Sequence, residues 1–345
     1  MMIMHFYRRW IDLHIIIVPL ALTWIPSIAA DAYPACEGNF APTPETCEKF
    51  AFRLQSNGLP NRACMMLGDG ASTFYDLDNL PAVDDIDPRV ATMSTLVTNV
   101  FEGGDKSFGY GSCKDIGDMR GYTCGYVGFT TGTNDAEMIV KAYSAVKPDN
   151  ALSQFLPRLG ELSQLDVCSL NERGSTAGLE SFCDAWLQET CQDPSFAAFQ
   201  RSWVQDTYMR ASARFAASVG VTSGLGQLIF YDTVIQHGYQ FFEQEINIVR
   251  LLELTGPRGQ DESEEAYLTR FLTTRRQMQC CYPDNVWPAS AVRSADLQTL
   301  VDQFETHKNL QNPLPLLFFN QIVTGDEDDF IDRQRCAGGG APAAE

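Results

Sequence analysis

Glu102 and Asp118 are the residues of this chain whose types and settings best suit chemistry. Both lie in the stretch 101–135, FEGGDKSFGYGSCKDIGDMRGYTCGYVGFTTGTND. Glu102 follows Val90, Met93, Leu96, Val97, Val100 and Phe101, an apolar series that opens after Asp87-Pro88 and stops at Gly103-Gly104. The spacing predicts a helix with Glu102 in its last turn. There the negative end of the helix dipole and the neighbouring Phe101 both disfavour the ionised form, the direction a general acid needs. Asp118 lies in IGDMRG beside Arg120, before the Gly-punctuated run Tyr122 to Thr130, whose aromatic and β-branched residues read as a twisted hairpin. A neighbouring cation and a polar turn keep that carboxylate ionised. Two carboxyls with opposed protonation, one on a helix end and one on a small sheet, suit cleavage of a glycosidic bond. Helix ends and turns are also where ordinary carboxylates collect, so the pair alone decides nothing.

The elements that must position these groups follow in order. Asn134 and Glu137 form a candidate capping box for a helix whose inner face is Met138, Ile139, Ala142, Tyr143 and Val146. Asp135 then sits in that helix's first turn, where carboxylates are common for structural reasons. Ala151 to Leu165 is a second amphipathic helix, Leu165 to Ser181 reads as a loop, and Phe182 to Trp186 and Phe196 to Ala217 are helical again. The run from Gly224 to Gly238, GLGQLIFYDTVIQHG, is apolar enough to be a buried central helix, so Asp232 within it requires a partner. No strand precedes its glycines and GxGxxG is incomplete, which excludes a dinucleotide site.

The stretch 101–135 resembles glycoside hydrolase family 46, the chitosanases. The resemblance rests on Phe101-Glu102 closing a helix, then Gly117-Asp118-Met119-Arg120-Gly121-Tyr122-Thr123, then Gly128-Phe129-Thr130-Thr131-Gly132-Thr133-Asn134-Asp135. The run 224–238 is similar to the family's central helix, and the likeness covers about 87–325. It implies a mostly helical α+β fold of two lobes, lysozyme-like, with a small antiparallel sheet at about 110–131 facing the Glu102 helix across a cleft. It further implies inverting endo-hydrolysis of β-1,4-linked glucosamine in chitosan, with Glu102 as general acid and Asp118 as general base. By the same resemblance Thr123 helps hold the attacking water, Arg120 orients base and substrate, and Asp135, with Thr133 and His237, binds the sugar. Asp232, Arg275 and Arg293 stand for a supporting ion-pair network. No cofactor and no metal are implied. Met119 departs from the family's usual glycine; at positive φ it would cost about 1 to 2 kcal/mol at the catalytic turn. Other readings of the same fold are a polysaccharide-binding protein without turnover, and a hydrolase of chitin or peptidoglycan.

Composition sets the context. The 345 residues are 45% apolar and 20% charged, enough for a substantial core. Arg8 and Arg9, the apolar run Ile15 to Leu22, and Ser27-Ile28-Ala29-Ala30 predict a cleaved secretory signal over 1–30 and an extracellular, monomeric product without a membrane anchor. Pro19 interrupts the run, which is shorter than the roughly 20 residues that span a bilayer. The formal charge of −19 argues against nucleic acid and suits a polycation such as chitosan, although secreted proteins are often acidic for solubility alone.

All 11 cysteines follow the predicted signal, which favours disulfides and leaves at least one cysteine unpaired within the chain. A Cys113–Cys124 bridge would brace the hairpin, but spacing leaves the pairing open. Only His237 and His307 follow residue 30, and no C-x-x-C occurs, so a zinc site is not expected. Residues 31–86 read as a cysteine-containing extension and 87–325 as the catalytic domain. Residues 326–345 read as an acidic, flexible tail. The loop DLDNLPAVDDID has Pro81 where a calcium loop needs glycine and reads as solvated. GxSxG, HExxH, Walker loops, internal repeats and N-x-S/T sequons are absent from the sequence.

Overall fold

The computed structural model describes residues 33–50, 75–165, 169–239, 246–282, 286–327 and Cys336. The expected signal over 1–30 lies outside the described residues, as do Cys64 and Cys168.

The helix Gly224–His237 is the hub. Ser223 caps it by accepting from the Gly226 N–H at 2.9 Å, and Leu228, Ile229, Phe230, Asp232 and Thr233 are all 0% exposed. A helix apolar on every side has to be surrounded, and this one packs against Pro88–Gly103, Arg210–Ser218, Ile248–Thr255 and Val286–Val301. The helix Glu264–Cys281 lies along Val286–Val301. Among the described residues no helix is long and apolar enough to cross a membrane.

The helix Pro88–Gly103 begins and ends as its sequence signals require. Asp87 accepts from the N–H groups of Arg89 and Val90 at 2.7 and 3.3 Å, Pro88 opens the first turn, and Gly104 at φ 82° stops it. Met93, Leu96, Val97 and Val100 anchor its inner face, leaving Glu102 in the last turn. Beyond it lies an antiparallel sheet of β1 (Cys113–Asp115), β2 (Tyr122–Cys124) and β3 (Phe129–Thr130). Its register sets Cys113 against Cys124, Lys114 against Thr123, and Thr123 against Thr130. The helix Phe182–Gln192 backs this sheet, with buried Trp186 donating its indole N–H to the Tyr110 carbonyl at 2.7 Å. A second antiparallel pair, β4 (Leu314–Leu316) and β5 (Gln321–Val323), closes the body.

Three local expectations are corrected. Asn134 does not cap the helix Asp135–Val146: at φ 75° its side chain makes no cap bond, and its carbonyl oxygen accepts instead from the Arg173 guanidinium. The stretch 165–181, expected as a loop, contains the short helix Leu170–Arg173, and Arg173 is 2% exposed. The helical run expected at 196–217 is continuous in path but split into Pro194–Val204, a π turn at Gln205–Met209, and Arg210–Ser218.

Both ends of the described chain are fastened to the body. Disulfides Cys36–Cys280 and Cys47–Cys281 fix residues 33–50 to the helix Glu264–Cys281, and the Arg276 guanidinium lies 3.8 Å from the Phe40 ring centroid. In the segment expected as a loose tail, Glu327 pairs with Lys106 at 3.0 Å and Cys336 is bridged to Cys191. The acidic loop 76–87 is held at its carbonyls, by Arg210 at Asp84 and by Arg214 at Leu80 and Pro81.

Candidate active site

Glu102 is held from behind by an unbroken chain of polar contacts. Its Oε1 lies 2.7 Å from Arg293 Nη1, Arg293 Nε donates to Asp232 Oδ1 at 2.8 Å, and Asp232 Oδ2 lies 2.7 Å from Arg275 Nη2. Arg275 Nε then donates to His237 Nε2 at 3.2 Å. Asp232 and Arg275 have no exposed side-chain surface, so each would be costly alone; two arginines against two carboxylates balance the charge. Burial brings Arg275 down to about 10, still protonated at neutral pH. Burial works against charge on Arg293 as well, but Asp232 and Glu102 hold it above its usual range.

His237 is kept neutral by burial and by the charges of Arg275, Arg293 and Arg120. Because its Nε2 accepts from Arg275, its proton belongs on Nδ1. The ring stacks on Trp287 with centroids 4.8 Å apart. The setting expected for Glu102, with only a helix end and Phe101 beside it, is therefore incomplete. Phe101 is adjacent, and its ring lies under the Arg293 guanidinium at 5.2 Å, but the nearest charge to Glu102 is that cation.

Asp118 is held by its own turn. Its Oδ1 accepts from the Arg120 N–H at 3.0 Å and its Oδ2 lies 3.7 Å from Arg120 Nε. Backbone φ is positive at Gly117, Met119 and Gly121, with 65° at Met119. A methionine in that left-handed region carries about 1 to 2 kcal/mol of strain. Gly121 has a further reason to be glycine: a Cβ there would lie 2.3 Å from Thr131 Oγ1, which accepts from the Tyr122 N–H. Cys113–Cys124 is a disulfide that ties β1 to β2 below the turn, while Cys183 is a free thiol pushed up to about 12 by burial and by Asp184 and Asp115.

Two cavities meet at Gly128. One, of about 460 Å³, is lined by Glu102, Thr123, Lys114, Asp105, Tyr110 and Tyr126 among others. Thr123 Oγ1 is buried there without a hydrogen-bond partner among the described residues. The other, of about 110 Å³, is lined by Arg120, Thr130, Thr133, Asp135, Tyr208 and the turn from Val234 to Gly238, including His237. Asp135 Oδ1 accepts from Thr133 Oγ1 at 2.7 Å, Thr130 N at 3.0 Å and Thr130 Oγ1 at 3.2 Å. Burial raises its pKa, against the pull of those donors.

The structure thus gathers Glu102, Arg293, Asp232, Arg275 and His237 into one chain of contacts, and Arg120, Thr133, Asp135 and His237 around one cavity. Asp118 lines neither cavity, its carboxylate being turned onto Arg120. Sequence reasoning missed Arg173, which donates to the Gly132 carbonyl at 3.0 Å and to Leu165 O at 2.6 Å and so braces the turn before Asp135. A lone arginine in a polar, loop-like stretch gives no signal of burial.

The comparisons with known proteins agree with this geometry. Residues 96–315 match the model for glycosyl hydrolase family 46. A chitosanase of Bacillus subtilis is 35% identical over 228 residues, spanning 63% of this chain and 78% of the relative. Among solved structures, the chitosanase of Gynuella sunshinyii in complex with chitotetraose superposes with a TM-score of 0.60 at 25% identity, covering 69% of this chain and 98% of that one. A native chitosanase from Bacillus subtilis gives 0.59 at 27% identity, covering 69% and 100%. The mostly helical body with its small antiparallel sheet is therefore the lysozyme-like fold, and the chain belongs to glycosyl hydrolase family 46, a glycoside hydrolase.

Proposed function

We propose that the protein is a secreted endo-chitosanase that hydrolyses β-1,4 bonds between glucosamine residues with inversion, Glu102 acting as general acid and Asp118 as general base. The observation that carries the reading is Glu102 tied through Arg293 to buried Asp232 while lining the same cavity as Thr123. With Oε1 on Arg293, Oε2 is the oxygen that gives its proton to the leaving glycosidic oxygen. Arg293 then compensates the carboxylate that remains. Asp232 shares that cation from the buried side and holds the guanidinium in place behind Glu102. Asp118 and Thr123 hold the water on the opposite face of the sugar, Asp118 taking its proton as the oxygen attacks the anomeric carbon. Because Asp118 is turned onto Arg120, the turn has to swing toward the sugar as substrate enters, with Arg120 following.

Asp135, with Thr133 and His237 beside it, receives a glucosamine ammonium, and the chain's formal charge of −19 draws the polycation in. Export, an extension at 31–86, a catalytic domain at 87–325 and a monomeric state complete the proposal. The test is reducing-end release from fully deacetylated chitosan oligomers by the wild type, Glu102→Gln and Asp118→Asn, with the anomer of the first product read by NMR. An α-anomer and loss of turnover with retained binding in both variants support the reading. A β-anomer refutes inversion, and binding without cleavage by the wild type refutes the enzyme.

A further inference from the structure

Lys114 introduces a charge that a site for a polycation does not call for. It is the middle residue of β1 and stands directly opposite Thr123, so the two side chains share one face of the sheet. It also lines the cavity of Glu102 and Thr123. The other charged groups there are engaged: Glu102 with Arg293, and Asp105 with Ser107, whose N–H it accepts at 2.7 Å. Asp115, next to Lys114, accepts from the Gly117 N–H at 2.8 Å, within its own turn. Among the described residues the Lys114 ammonium has no hydrogen bond or ion pair. The cavity on the far side of Gly128 has no lysine in its lining and carries the Asp135 carboxylate together with the Arg120 side chain in its wall.

Resting on the chitosanase reading, we propose that Lys114 is a specificity-determining residue. It disfavours a glucosamine ammonium in the sugar site beside Glu102 and admits N-acetylglucosamine there. The preferred substrate is then partially acetylated chitosan, cut between a glucosamine on the Asp135 side and an N-acetylglucosamine on the Lys114 side. Two ammonium groups in one cleft repel, whereas an acetamide is neutral and its carbonyl oxygen can accept from Lys114 Nζ. At a partly solvated site the discrimination amounts to roughly tenfold.

The experiment digests partially N-acetylated chitosan with the wild type, Lys114→Gln and Lys114→Glu, and sequences the new ends by mass spectrometry. The expected result for the wild type is enrichment of N-acetylglucosamine at one of the two new ends and of glucosamine at the other. Lys114→Glu should shift the enriched end toward glucosamine and raise kcat/KM on fully deacetylated oligomers roughly tenfold, with Lys114→Gln between. Identical end composition in all three proteins overturns the proposal. Should the wild type release no reducing ends, the hydrolase reading fails separately. Calorimetric affinities for glucosamine and N-acetylated hexamers then decide the lysine: a ratio that moves toward glucosamine in Lys114→Glu supports it, and an unchanged ratio overturns it.

Discussion

The two carboxylates are positioned by opposite means. Glu102 is fixed at long range: its helix is packed on the hub helix, and its side chain is linked through Arg293 to Asp232, which has no exposed surface. Asp118 is fixed locally, by the N–H of Arg120 two residues on and by a turn whose outer residues Ile116 and Met119 are 52% and 42% exposed. Displacing Glu102 means disturbing buried charges, whereas displacing Asp118 means turning a few backbone angles. In the mechanism proposed above, the acid would thus be held by the core and the base by an exposed turn.

The sharpest way to break this comparison is to separate activity from stability. Asp118→Asn should lower reducing-end release by about 10² to 10⁴-fold while shifting the unfolding free energy by no more than about 0.5 kcal/mol. Asp232→Ala should do the reverse in stability, leaving Arg275 and Arg293 buried without their anion at a cost of about 3 to 5 kcal/mol in urea unfolding. An Asp232→Ala protein of wild-type stability would mean that Glu102 is not anchored by the core. Replacing Cys113 and Cys124 together by serine should cost about 2 to 3 kcal/mol, measured by denaturant unfolding, because the bridge closes a short loop at the base of the tip.

A smaller effect concerns pH. His237 is held neutral in the fold, well below its ordinary value near 6.5, chiefly by burial. Below pH 6.5 the unfolded chain takes up a proton that the folded chain refuses, so stability should fall by about 1 kcal/mol per pH unit. Above it, this group contributes no slope. His237→Gln should remove that part of the pH dependence. The smallest effect is at the tip itself: Met119→Gly relieves the left-handed strain but loosens the unfolded chain, a net gain of about 0.5 to 1 kcal/mol, visible as a modest rise in Tm. A loss of stability in Met119→Gly would show that its backbone is not strained.

The parts of the fold legible in the sequence are those encoded within a few neighbouring residues. Asp87-Pro88 and Gly103-Gly104 bound the Glu102 helix because caps and stops are local chemistry. The apolar run 224–238 announces a buried helix, and Asp232 within it announces a partner. The family likeness pointed to Arg275 as that partner, and to Arg293 as the network's second arginine. Contacts set by distant segments were not legible. Nothing near Asn134 reveals that Arg173 will take its side-chain oxygen in place of the helix cap. Nothing in residues 33–50 names Cys280 and Cys281 as the partners of Cys36 and Cys47. The direction of Lys114 likewise depends on a register with Thr123 that only the folded hairpin supplies.

The long-range disulfides bear on the fate of a damaged molecule. Cys36–Cys280, Cys47–Cys281 and Cys191–Cys336 span 244, 234 and 145 positions. A protease that nicks a surface loop inside these spans severs the backbone without releasing a fragment, since both pieces remain covalently joined. Chain ends are the usual starting points for fraying and exopeptidase attack. Here residues 33–50 and Cys336 are stitched to internal helices, so a nick beside either leaves it attached until a reductant opens the bridge. If the protein is exported as proposed, to where no chaperone or repair is at hand, that lengthens the working life of each molecule.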